Sequence, residues 1–213
     1  MTATSPTVAG SPWLRIWTHP RSTIRDLLIG PPSPAIWGLA VLNGMAQSLV
    51  QGAQNSVGAR APVAVILPST ILVGAIWGIL QLHLVSGLLF LVGRWTSGRA
   101  TFRQMRTVVA WSTVPQSVVV ATWLIGTAVF GRLLFVDVDA LGATPPPALA
   151  LGMLLIFLIS FTCIVWSFVI LVQGLAEAQG ISAWKALGTV VAAVLMFGVA
   201  VLVVITIVLG VVR

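Results

Sequence analysis

Five stretches without a charged residue dominate this chain: 27–59, 61–93, 107–131, 140–176 and 186–212. A helical crossing of a bilayer's hydrocarbon core takes roughly 20 apolar residues. Each stretch is long enough, so the pattern predicts an all-α integral membrane protein. Residues 31–213 are expected to form a bundle of five transmembrane helices at about 35–55, 63–92, 102–131, 148–175 and 183–211. The first crossing is the least apolar, because it carries Asn43, Gln47, Gln51, Gln54 and Asn55. Local chemistry sets several boundaries. Thr101 and Gln104 have the spacing of a capping box. Pro145, Pro146 and Pro147 cannot continue a helix but can lead into one. Gly180 and Ser182 punctuate the last turn.

Before the first crossing the pattern changes. Residues 1–11 are rich in Ser, Thr, Ala, Gly and Pro, which predicts a disordered tail. Residues 12–30 form a separate amphipathic segment, with Trp13, Ile16 and Trp17 at helical spacing. After Pro20, Ile24, Leu27 and Leu28 share one face while Arg21 and Arg25 lie on another. That is the pattern of an interfacial helix with arginines towards anionic headgroups. A cap packed on the mouth of the bundle is the other reading.

Charge then orients the chain. It has eleven Lys and Arg and only four Asp and Glu, with 58% hydrophobic residues. With five crossings, eight cations fall on the side of the N-terminus: Arg15, Arg21, Arg25, Arg94, Arg99, Arg103, Arg106 and Lys185. Arg60, Arg132 and Arg213 fall on the other side. The positive-inside tendency therefore predicts a cell-membrane protein with a cytoplasmic N-terminus and an external C-terminus. Trp13, Trp17, Trp37, Trp95 and Trp184 fall near the same side, where indoles favour the interface. The cations are spread over several connections, so nucleic acid is not an expected partner. The single Cys163 rules out a disulfide framework. No cleaved leader is expected, since residues 1–26 hold no apolar stretch of signal-peptide length.

Polar residues inside the crossings need partners. Asn43, Gln47, Gln51 and Asn55 stand four apart and form one stripe, beside a small-residue stripe of Gly44, Ser48, Gly52 and Ser56. Amides facing hydrocarbon are costly, so this face must turn inward. It serves either as helix–helix glue, with partners such as Gln81, Gln116 or Gln173, or as the lining of a hydrated path. His83 is the ionisable side chain placed deepest in a crossing and joins that candidate interior with Gln81. Gly74 and Gly78 make a GxxxG packing pair. Pro68 lies near a helix end, whereas Pro115 should kink the third crossing by freeing the Trp111 carbonyl, with Ser112 and Thr113 placed to help. Pro115 is the candidate hinge. Asp137 and Asp139 lack a third ligand, so neither a metal nor a cofactor is expected. No serine triad, HExxH, P-loop or GxGxxG motif is present, and an enzyme is not expected.

Three stretches together resemble the bacterial proteins of the Yip (Ypt/Rab-interacting protein) domain family. They are Ser11–Arg25, Phe102–Arg106 continuing through Ala110–Pro115, and Gly174–Trp184. The resemblance implies a five-span domain over about residues 11–210 with a cytoplasmic N-terminus. Eukaryotic members act in vesicle trafficking and bind Rab-type GTPases. The family's Asp-Leu-x-Gly-Pro element has only a loose echo in Asp26–Pro31, which is one residue too long, so GTPase binding is not carried across. The family offers no catalytic residues to transfer. The expected function is therefore a membrane scaffold or adaptor. Trp13, Trp17, Arg21, Arg25, Arg99, Arg103 and Arg106 would engage membrane lipids or a cytoplasmic protein partner, and a homo-oligomer is a further partner class. The alternative is a small transporter or channel lined by Asn43, Gln47, Gln51 and His83.

Overall fold

The computed structural model describes residues 10–31, 33–95, 98–137 and 145–211, and it contains no strand among them. The expected tail up to residue 9, Asp139 and Arg213 lie outside the described residues. Two short helices open the fold, α1 (Pro12–Thr18) and α2 (Pro20–Ile29). Then follow α3 (Ala35–Gln54), α4 (Val63–Trp95), α5 (Phe102–Ser112), α6 (Gln116–Phe130), α7 (Pro147–Gln179) and α8 (Ala183–Val211).

Four segments are long and apolar enough to cross a membrane: Val63–Trp95, Phe102–Phe135, Pro147–Gln179 and Ala183–Gly210. They coincide with four of the five expected crossings. The remaining one, α3, has 20 residues, about 30 Å at the helical rise of about 1.5 Å per residue. Its length suffices, but its amides keep it below the hydropathy of the others.

The boundary chemistry is visible. Thr101 and Gln104 form a reciprocal capping box at the start of α5. The proline run ends where α7 begins, with Pro147 in its first turn, and Gly180 closes that helix in the left-handed conformation at φ +68°. At Pro115 the expected kink is a full break. Helix α5 stops at Ser112 and α6 restarts at Gln116. The freed Trp111 carbonyl accepts from the Val114 N–H at 3.3 Å. The Ser112 and Thr113 hydroxyls donate instead to the Val109 and Ala110 carbonyls, each at 2.7 Å. Trp111, Ser112 and Val114 are buried, so the break is a packed part of the core.

Helix α3 lies antiparallel along α4 with their backbones in contact. A Cβ on Gly44 would overlap the Gly74 carbonyl oxygen, and one on Gly78 would overlap the Ala40 carbonyl oxygen. Gly44 of the expected small-residue stripe thus meets the GxxxG pair, while Gly52 faces Phe135. Two apolar cores result. One, around Ile24, Leu39, Leu89, Met105 and Leu175, fills the end that carries α1, α2 and the α4–α5 connection. The other, around Leu49, Ile66, Trp123 and Phe135, fills the opposite end. We call these the basic end and the far end.

Candidate functional site

The basic end is built first from α1 and α2, which dock on protein. Ile16 and Ile24 are fully buried in the core beneath them, and α2 packs on α5 and α7. At Ile16 and Ile24 the apolar side of residues 12–30 covers the bundle, as a cap would, while Leu14 and Ile29 stay exposed. The reason is electrostatic as well as apolar. Glu177 on α7 accepts from Arg21 Nε at 2.8 Å and from Arg25 Nε at 2.5 Å, which fixes both arginines over the bundle. That hydrogen bond, and then the Glu177 charge, raises the Arg25 pKa above its ordinary value. Trp13 stacks at a tilt on Trp111, centroids 5.5 Å apart, and Trp17 packs against the same core.

A second layer lies on α4, α5 and α3. The Arg106 guanidinium sits 5.6 Å from the Trp37 ring centroid and 5.7 Å from that of Phe102. Phe102 meets Phe90 edge to face at 6.2 Å, and Arg94 lies over Phe90 at 5.7 Å. Two guanidiniums are thus held over adjoining aromatic rings, an arrangement worth about 0.5–2 kcal/mol per contact. His83 belongs here. Its ring lies 5.7 Å from Trp37 and 6.4 Å from Phe102, and its Nδ1 is 2.9 Å from the Ile79 carbonyl oxygen. Arg99 and Arg103 are exposed beside this layer.

The counter-charges are already taken. Asp26 holds Arg15 at 3.1 Å and Glu177 holds Arg21 and Arg25. Asp137 follows α6 at the far end, where its backbone N–H donates to the Ser56 hydroxyl. Among the described residues, Arg94, Arg99, Arg103 and Arg106 form no ion pair. The Arg106 Nε is buried without a hydrogen-bond partner.

The amide stripe lies elsewhere, between the two cores. Gln81 Oε1 accepts from Asn43 Nδ2 at 2.9 Å and from Gln47 Nε2 at 2.6 Å. The Trp77 indole donates to Gln47 Oε1 at 3.0 Å. Of the other expected partners, Gln116 donates from Nε2 to the Ser167 hydroxyl at 3.5 Å instead of bonding the stripe. The stripe is therefore glue along part of its length. Beside it opens a cavity of about 600 Å³, lined among others by Asn43, Gln47, Gln51, Gln54, Gln116 and Ser160. A smaller one of about 190 Å³ continues from Asn43, Gln47 and Gln116 to Gln81 and Ser112. Ala40, Leu82, Val109 and Ala110, members of the basic-end core, also line it. His83 lines neither cavity, which corrects its placement with the amides, and Asn55 lies exposed at the end of α3.

Sequence reasoning missed Trp77, although it stands one turn before Gln81 and so shares its face. It also missed that Glu177 anchors α2 and that Trp37 meets Arg106. No spacing rule connects either pair. A Yip1 domain family model matches residues 14–205. No curated protein and no solved structure matches the chain.

Proposed function

The chain belongs to the Yip1 domain family, and from that premise we propose that this multi-pass membrane protein is a non-catalytic scaffold or adaptor. Helix α3 is its fifth crossing, with the amides turned onto α4 and the cavity. The basic end then faces the cytoplasm, by the excess of cations on that side. There Arg94, Arg99, Arg103 and Arg106 engage anionic lipid headgroups or an acidic protein surface.

One observation carries this reading: four cations stand together on an end whose carboxylates are bound elsewhere. Exposed cations near an anionic membrane surface each contribute about 1 kcal/mol of attraction. The aromatic floor holds Arg94 and Arg106 in place before any partner arrives. Capture of a GTPase is not part of the proposal, because Asp26 of the loosely family-like run is already tied to Arg15.

The transport reading draws support from the cavity alone. Apolar core residues line its smaller part, and the histidine meant to serve it lines neither cavity.

The test is lipid retention by the purified protein, counted by native mass spectrometry in mixed phosphatidylglycerol and phosphatidylcholine micelles. The wild type should retain phosphatidylglycerol preferentially. Combined Arg99→Gln, Arg103→Gln and Arg106→Gln substitution should weaken that preference by about tenfold or more. Unchanged retention, together with unchanged capture of an acidic test peptide, would count against the scaffold reading.

A further inference from the structure

The larger cavity has the features of a binding site, and its entrance is sideways. Its walls are α3, α4, α6 and α7, with Val73 and Trp77 on one side and Ser160 and Ile164 on the other. Helices α4 and α7 face each other across this space. The element that bridges them, α8, does so only near its start. Ala186, Thr189, Val190 and Ala193 are buried, whereas every residue from Phe197 to Gly210 is exposed. Towards the far end α8 therefore leaves the α4–α7 gap uncovered.

The depth of the cavity matters. Ser160 and Ile164 lie within a turn of the middle of α7, and Trp77 lies near the middle of α4. Both helices are 33 residues long, so these positions fall near the middle of a hydrocarbon core about 30 Å thick. Polar groups at that depth need hydrogen-bonding partners. Part of the need is met within the protein by the Asn43, Gln47, Gln81 and Trp77 bonds. Part is not: among the described residues the Gln51 side-chain amide lines this cavity without a hydrogen bond to protein.

The lining limits the occupant. Its polar residues are amides and hydroxyls, and none of its residues is charged. Amides offer donors and acceptors together, while an ion brought to this depth would meet no counter-charge and a heavy desolvation cost. The volume of about 600 Å³ falls within the range of small-molecule sites, about 300–1,000 Å³. We propose that this crevice binds the uncharged, hydroxyl- or carbonyl-bearing head of a membrane amphiphile, which enters from the bilayer between α4 and α7. Its chains would remain in lipid beside the exposed half of α8. This site is separate from the basic end and does not depend on the function proposed for it.

The experiment uses the full chain in phosphatidylcholine vesicles with a photoreactive diacylglycerol as probe and a photoreactive phosphatidylcholine as comparison. Adducts of the diacylglycerol should concentrate on residues around Val73, Trp77 and Ile164 and be displaced by unlabelled dioleoylglycerol. Filling the cavity with Ile164→Trp should abolish them. Gln51→Leu, which removes one amide from the lining and touches no bond within the protein, should weaken displacement by about fivefold. The proposal is overturned by equal labelling from both probes, by labelling confined to the exposed half of α8, or by adducts that persist in Ile164→Trp. A cavity holding only water would give no displaceable adduct and would overturn it as well.

Discussion

Gly78→Ala is expected to destabilise the protein, although the same change at Gly38 should stabilise it slightly. Alanine in place of glycine inside a helix ordinarily adds about 0.5–1 kcal/mol of stability, because the unfolded chain loses freedom. At Gly38 a Cβ meets nothing within 4 Å, so that gain should appear. At Gly78 the new methyl would overlap the Ala40 carbonyl oxygen, and its next neighbours are backbone atoms too. Backbone cannot rotate out of the way as a side chain can, so α3 must move off α4. The cost should be on the order of 3 kcal/mol or more, at or above the upper end for overpacking. Thermal denaturation of the detergent-solubilised protein, followed by size-exclusion chromatography, would show it. If Gly78→Ala and Gly38→Ala melt alike, the α3–α4 contact is wrong.

Gln81→Leu should give the second large effect, through a different mechanism. One carbonyl oxygen accepts from both Asn43 and Gln47, so the substitution strands two donors at once. An unsatisfied buried donor costs about 1–3 kcal/mol. Interhelical bonds measured in membranes average nearer about 0.6 kcal/mol and reach about 1.7. The lower range governs here, because Asn43 and Gln47 are only partly buried. A loss of about 1–2 kcal/mol follows. A double-mutant cycle with Gln47→Leu isolates the bond, since the two changes should cost less together than their sum. Strict additivity would mean that the amides do not hold the helices together.

The elements of this fold that were legible in the sequence have local causes. The capping box at Thr101, the start of α7 after the proline run and the turn at Gly180 each depend on residues within one turn. The glycine stripes were legible for a related reason: a small face on a membrane helix has few uses besides close packing. The apolar side of α2 was ambiguous, because lipid and protein select the same pattern. The bonds from Arg21 and Arg25 to Glu177, about 150 residues away on α7, tie this helix to the bundle. His83 shows a limit of a different kind. It stands two residues after Gln81, about 200° around a helix with 3.6 residues per turn. Periodicity alone separates the two, and grouping them by depth hid that. The cavity was not legible, because it lies between α3, α4, α6 and α7, and how closely those helices approach is set by no local spacing.

The account rests on α3 as a fifth crossing, which puts α2 and the α4–α5 cations on one side of the membrane. Single cysteines at Leu14, Arg60 and Arg99, introduced after Cys163→Ser and probed with an impermeant maleimide on intact cells, test this most directly. All three positions are exposed, so accessibility will report the side of the membrane. With α3 spanning, Arg60→Cys is labelled from outside, while Leu14→Cys and Arg99→Cys react only after permeabilisation. Labelling of Leu14→Cys and Arg60→Cys from the same side would contradict the account, because α3 would then not cross.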